Sequence, residues 1–533
     1  MDQEGATGSE GNGERVISQA GPEKDIPIEK PDETEDAPIA AAQDAAGPPY
    51  STFSEHQKSW IVLLATIAAF FSPFSSTIYL PALLPVQRDL GISSTEVNLS
   101  LTTYLVLQAI APTFTGELSD SLGRRPVYIF SMIIFVGACV GLALQKSLVA
   151  LLLLRMLQSS GSSGTVAIGF GSVADISTSA ERGKYVGLMS AFPLSSPALG
   201  PVIGGAIAER AGWRWIFWFL VIFSSAAAAL MALGFPETNR KIVGNGSIPP
   251  SRLNRAPLQK LVGPPACELP EGVTAKKRTA RDLIPNPFRS VSIMFNKDVS
   301  IILFVMSLYY AAFYAVNASL PKLFSNIYGY NDLEIGLCYF SFGVGAIIAS
   351  IANGRIVDRD FRIVAEREGI QVDRKNMTDM AKFPLERARL RSVWCSMIVY
   401  IIAIVPYGWA LQHDAHVAVP LVLLFIQGFT AISVVNTVSI FLVDLYPAAP
   451  ATATASGNLA RCMFGALSTS VVDLMLDHLG IGWTFTFWGL ICTVCFPLVQ
   501  WDRRYGHISR IKRYEALIKK QEEERRRAEQ NNA

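Results

Sequence analysis

In the stretch GELSDSLGRRPVYIF, residues 116–130, Glu117, Asp120, Arg124 and Arg125 crowd into one short turn. An acid here could cap a neighbouring helix N-terminus, and the arginines could pair with carboxylates. In a soluble protein the same residues would be an ordinary charged surface turn. Two other places hold charge among apolar residues. LRMLQSSGSSG puts Arg155 one turn before Gln158, and STSVVDLMLDHLG carries Asp473. A charge among apolar helices is costly and as a rule faces a polar cavity. Such a group could bind a charged solute or carry a proton. The plainer alternatives are an arginine snorkelling at a helix end, and an acid that joins Asp477 and His478 at the outer end of its helix.

What these residues do depends on the segments that hold them. The chain has 533 residues, 50% hydrophobic and 17% charged, against about 25% charged in a typical soluble domain. Its mean hydropathy is +0.32. Nearly uncharged windows of about 20 residues recur, long enough to cross a bilayer. Twelve spans are expected, at 60–80, 97–117, 126–145, 148–172, 184–208, 213–235, 298–320, 334–354, 392–412, 418–442, 452–476 and 481–500. The loops alternate in charge. One set holds Arg124 and Arg125, Arg182 and Lys184, and two long basic stretches, Arg240 to Lys297 and Arg355 to Arg391. The other set holds only Arg88, Lys146, Arg210, Arg214 and Lys322. Basic loops stay in the cytoplasm, so both termini are expected there.

The expected organisation is a disordered acidic cytoplasmic N-tail (1–59), an N-terminal six-helix bundle (60–236) and a cytoplasmic central loop (237–297). A C-terminal six-helix bundle (298–500), with a charged loop at 355–391, and a basic cytoplasmic C-tail (501–533) follow. From Arg503 the tail could lie as a short helix on the membrane or act only as a topology anchor. Six of the seven cysteines sit in apolar runs and Cys267 in a loop, which is no disulfide framework. No leader segment is expected, because the first apolar run starts near Trp60. No basic patch suits nucleic acid. No histidine cluster, nucleotide loop or nucleophile elbow suggests a metal site or an enzyme.

The halves echo each other. Gln158 and Asp175 reappear as Gln427 and Asp444, 269 positions on, and GWRWIFW at Gly212 reappears as GWTFTFW at Gly482. Gly116 and Asp120 match Gly354 and Asp358 at a smaller offset, which implies an insertion in the loop that follows the eighth span. Such duplication is common in secondary transporters, which place substrate between the halves.

At this point a resemblance becomes specific. Gly116, Leu118, Asp120, Gly123, Arg124 and Arg125 match the loop G-x-L-x-D-x-x-G-R-(R/K) of the major facilitator superfamily. There it latches the cytoplasmic side. Arg155 and Gln158 resemble that family's R-x-x-Q-G-x-G, with Ser159 in place of the first glycine. Gly187, Gly200, Pro201, Gly204 and Gly205 resemble a fifth-span signature associated with its antiporters, with Ser196 where another glycine is usual. IYLPALLPVQRDLGIS and DLYPAAPATATASGNLARC narrow the likeness to fungal twelve-span drug:proton antiporters, the branch with quinidine-resistance and organic-acid exporters.

The resemblance implies an all-α membrane protein of two pseudo-symmetric six-helix bundles and a proton-coupled plasma-membrane exporter of drugs, weak organic acids or secondary metabolites. Gly116, Asp120, Gly123, Arg124 and Arg125 would form the gate. Arg155, Gln158 and Asp473 would serve coupling or the cavity. Tyr314, Asn317, Gln427 and Asn436 are candidate substrate contacts, with helix packing as the alternative. The expected partners are a small organic substrate, protons and the bilayer. A monomer is expected, with no nucleic acid, metal or cofactor and the proton gradient as energy source. The competing readings are a proton symporter or uniporter for uptake, and a sensor that transports nothing.

Overall fold

The computed structural model describes residues 50–178, 181–251, 254–258, 288–369, 383–446 and 450–532. Among the described residues there is helix, turn and loop but no strand. The first six long helices are α1 (Glu55–Leu90), α2 (Ser94–Leu122), α3 (Arg124–Leu144), α4 (Leu148–Ile176), α5 (Lys184–Ala211) and α6 (Arg214–Gly234). The second six are α7 (Lys297–Tyr328), α8 (Asp332–Glu368), α9 (Val393–Gln412), α10 (Ala418–Leu445), α11 (Pro450–Leu479) and α12 (Ile481–Asn532).

Eleven of these are long and apolar enough to cross a membrane. The exception is α4, whose 29 residues suffice in length. Arg155, Gln158 and its serine-glycine run dilute its hydropathy, and it packs instead against α1, α2 and α3. Large apolar side chains such as Ile133, Ile222, Leu467 and Leu490 point outward, as a lipid-facing surface requires.

Local sequence sets the helix ends. Ser93 with Glu96, and Asn331 with Glu334, form capping boxes that start α2 and α8. Gly329 closes α7 in the left-handed conformation. Within α5 the helix is interrupted by a 3-10 turn at Pro193–Ser195.

Packing repeats between the halves. The pairs α2–α4, α3–α4 and α3–α6 have the counterparts α8–α10, α9–α10 and α9–α12. The halves meet along two seams, α2–α11 and α5–α8, which the same six-helix shift exchanges. Glycines permit the closest approaches. A Cβ at Gly161 would lie 2.6 Å from the Phe135 nitrogen, and one at Gly428 would collide with the Phe342 carbonyl.

Several boundaries differ from expectation because helices outlast the apolar runs. α8 continues to Glu368, well into the expected 355–391 loop. Lys322, expected in a loop, lies inside α7. The C-tail extends α12 rather than forming a separate surface helix. Its Arg510 donates from Nε to Glu386 at 2.8 Å and from Nη2 to the Phe383 carbonyl at 2.7 Å. Residues 1–49, Cys267 and most of the central loop lie outside the described residues.

Overpacking a close helix crossing costs about 1–3 kcal/mol. Gly161→Val is therefore expected to lower the melting temperature of the purified protein by several degrees. Gly187→Ala, where a Cβ meets nothing within 4 Å, leaves it unchanged.

Candidate functional site

One face of the bundle carries the start of the described chain and the far end of α12; we call it basal and the opposite face distal. The 116–125 cluster lies on the basal face, between α2 and α3. Gly123, at φ +114°, joins the two helices, and any side chain there would strike Glu237. Arg124 donates from Nε to Asp175 at 2.9 Å and from Nη1 to Ser119 Oγ at 2.7 Å, and it also pairs with Asp120. The α3 N-terminus is capped by Glu237, beyond α6, rather than by Asp120. The backbone N–H of Arg124 donates to Glu237 Oε1 at 2.8 Å and that of Arg125 to Oε2 at 3.3 Å. Burial pushes the Glu237 carboxyl above its ordinary value, against the pull of these N–H groups. Asn239 Nδ2 donates to the Ser119 and Asp120 carbonyls, both at 3.0 Å.

The second half builds the same pair from a residue that the repeat did not reveal. Arg389 Nε donates to Asp444 at 2.7 Å, as Arg124 Nε does to Asp175. Nearby, Asp360 accepts from Ser392 Oγ. The clusters on the basal face thus close within each half.

The distal part of the bundle joins the halves. Asn98 Nδ2 on α2 donates to Asp473 Oδ2 on α11 at 2.7 Å. Asp473 is 2% exposed and lies 3.4 Å from Lys322 Nζ. Thr102 and Thr469 share a hydrogen bond at 2.9 Å, and at mid-length of α2 Asn458 Nδ2 reaches the Gln108 carbonyl at 2.8 Å. On the other seam, a Cβ at Gly336 would sit 2.5 Å from the Pro201 carbonyl, and one at Gly205 would strike the Asp332 carbonyl.

Arg155 is fully buried in the first half and does not snorkel. Its guanidinium carbon lies 4.4 Å from the ring centroids of both Tyr79 and Tyr104. Nη1 donates to Gln158 Oε1 at 2.6 Å and to the Ser75 carbonyl at 3.3 Å. An arginine at mid-membrane costs about 3 kcal/mol in insertion measurements, and a desolvated cation–π contact returns about 2. Two ring faces therefore make this burial tolerable without an acid.

Comparison with known proteins decides the family. A family model described as Major Facilitator Superfamily matches residues 65–469. The chain belongs to the major facilitator superfamily. MFS-type transporter phiD of a Fungal sp. is 38% identical over 476 residues, 87% of this chain and 72% of that one. Citrate exporter 1 of Aspergillus niger is 34% identical over 470 residues, 87% and 89% of the two chains. The xylose transporter XylE of E. coli, in a partially occluded inward open conformation, shares the fold at TM-score 0.58, 14% identity and coverage of 84% and 99%. The human organic anion transporter MFSD10 does so at TM-score 0.53, 17% identity and coverage of 83% and 99%. This member is a transporter and not an enzyme.

In this transporter the candidate substrate contacts disperse. Tyr314 reaches across to Ser76 Oγ at 3.3 Å. Asn317 Nδ2 donates to the Phe313 carbonyl of its own helix, Gln427 Nε2 to the Ala403 carbonyl and Asn436 Nδ2 to Ser350 Oγ. Gln427 and Asn436 thus tie helices of the second half. Phe70 and Phe74 stack on each other, and Phe70 on Phe192, within the first half. Of the fifth-span signature, Gly200 and Gly204 meet Thr77 and Ile78 on α1, and Gly205 meets α8. Gly116 and Gly187 face open space.

Sequence reasoning missed Glu237, Arg389, Asn98 and Arg461. Arg461 had a usable signal, since it is the only charge between Asp444 and Asp473. Removing one partner of a buried ion pair costs about 3 kcal/mol. Arg389→Ala is expected to cut transport as far as Arg124→Ala, at least tenfold at equal surface expression. In thermal melts, Arg389→Ala with Asp444→Asn loses less than the sum of the single changes.

Proposed function

We propose that this transporter is a proton-coupled exporter of small organic molecules at the plasma membrane, with both termini cytoplasmic, working by alternating access. The observation that carries the reading is the distal seal between the halves beside basal clusters that close within each half. With the basic loops inside, the basal face is cytoplasmic, and this state accepts substrate from the cell interior. The glycine-proline pattern of α5 supports export, as does the similarity to a protein named as a citrate exporter. The resemblance to fungal drug:proton antiporters points the same way.

Asp473 is the coupling residue in this scheme. It holds Asn98 of the first half and Lys322 of its own half, so the distal face opens only when that arrangement breaks. Protonation from outside removes the charge on the carboxylate that accepts from Asn98, weakens that hydrogen bond between the halves and favours opening. The basal ends must then close. A Cβ at Gly116 on α2, at Gly187 near the α5 start or at Gly354 on α8 meets nothing within 4 Å. In this reading those empty faces are the ones that come together in the other state.

Gly354→Leu is therefore expected to leave the melting temperature unchanged while lowering transport more than tenfold. Unaltered transport would remove the closure argument. Metabolites in cytosol and medium should be compared for cells with and without the protein, with and without a protonophore. The expected result is a compound enriched outside only when both protein and gradient are present, and retained inside in Asp473→Asn cells. Faster depletion of a compound from the medium would overturn export in favour of uptake. Full proton-dependent efflux by Asp473→Asn would move coupling elsewhere.

A further inference from the structure

Among the described residues, several buried cations are matched by acids. Lys58 pairs with Glu55 and Glu181, Arg124 with Asp175, Arg389 with Asp444, Arg510 with Glu386, and Lys322 with Asp473. Others, such as Arg125, donate to a backbone carbonyl. Arg155 on α4 and Arg461 on α11, from opposite halves, have neither an acid nor a full set of hydrogen bonds to carbonyls. Neither has a carboxylate partner among the described residues. Arg155 is fully buried, and its Nε and Nη2 have no hydrogen-bond partner there. Arg461 is half-buried, donates from Nε and Nη2 to Asn458 Oδ1 at 3.4 and 3.0 Å, and lies 5.3 Å from the Tyr310 ring centroid. Both guanidinium groups are within electrostatic reach of the Tyr314 phenol, which itself bridges to Ser76 across the halves.

Two like charges in a low-dielectric bundle, both within reach of one tyrosine, repel each other and any cationic solute. The repeat does not demand them, since the counterpart of Arg155 at the 269-residue offset is Leu424. A carboxylate supplies the missing counter-charge, and a guanidinium fork matches its two oxygens. Tyr310, Tyr314 and Phe313 form a contiguous aromatic cluster beside Arg461, suited to an apolar body attached to the acid.

We infer that Arg155 and Arg461 make this an organic-anion site, its ligand a small carboxylate with an apolar portion. Arg461 contacts the carboxylate directly, and Arg155 supplies the second positive charge from behind Tyr104. The inference rests on the transporter reading above for the place of the site between the halves, but not on proton coupling or on the direction of transport.

The test is equilibrium binding to the full-length protein in nanodiscs, with no gradient, read by titration calorimetry and thermal shift. The probes are citrate, phenylsuccinate, its dimethyl ester and tetraphenylphosphonium. Phenylsuccinate is expected to bind saturably, more tightly than citrate, while the ester and the cation do not compete. Arg461→Ala weakens phenylsuccinate at least tenfold, and Arg461→Lys, which keeps the charge but not the fork, weakens it less. Arg155→Lys retains binding and Arg155→Gln loses it. Absence of saturable carboxylate binding in the wild type would overturn the inference. So would competition by tetraphenylphosphonium, or unchanged affinity in an Arg461→Ala protein with the wild-type melting temperature. If Arg461→Ala does not fold, Arg461→Gln takes its place. Phenylsuccinate that binds, yet crosses the membrane without regard to a proton gradient, would overturn the exporter reading and leave this one standing.

Discussion

A charge held among apolar helices must be matched by the protein or reserved for something that arrives, because hydrocarbon offers no water to satisfy it. Much of this transporter's architecture follows from that requirement. Arg124 with Asp175 and Arg389 with Asp444 tie the basal ends of each half into a rigid unit. Asn98, Asp473 and Lys322 join the units at the opposite end. Where neither kind of pairing is present, at Arg155 and Arg461, the charge is sheltered by aromatic rings and left for a solute.

The two halves are alike in packing and unlike in chemistry. Their helix pairings superpose under a shift of six, and the twin arginine-carboxylate pairs use the same atoms, Nε and Oδ2. Their caps differ. Glu237 crowns α3 in the first half, whereas α9 begins beside Ser392, which donates to Asp360. The second half is also braced by the C-terminal extension of α12, through Arg510 to Glu386. Duplication supplies two rigid bodies that can rock, and divergence supplies the asymmetric charge between them.

Much of the fold was legible in the sequence because span length and loop charge are one-dimensional signals. The pairing of Arg124 with Asp120 was legible too, since the two lie close along the chain. Contacts assembled from distant segments were not. Glu237 reaches Arg124 across more than a hundred residues, and no local pattern marks it as a cap. Arg389 lies at the edge of the insertion, 265 positions after Arg124, so an offset of 269 misses it. Asn317, Gln427 and Asn436 have the composition of ligand contacts, and in this structure their side chains bond to helix atoms, an arrangement that depends on which way a helix is rotated. Arg461 was the exception, because its isolation among uncharged neighbours is the signal that singled out Arg155.

Alternating access requires that one face open as the other closes. Paired spin labels can follow both faces in a background whose native cysteines have been replaced. One pair at positions 122 and 355 reports the basal ends of α2 and α8, and one at 95 and 478 reports the distal ends of α2 and α11. Acidification with phenylsuccinate present should shorten the basal distance and lengthen the distal one, in the same population of molecules. Two distances that stay fixed, or that change in the same sense, would contradict a carrier that exposes one site to each side in turn.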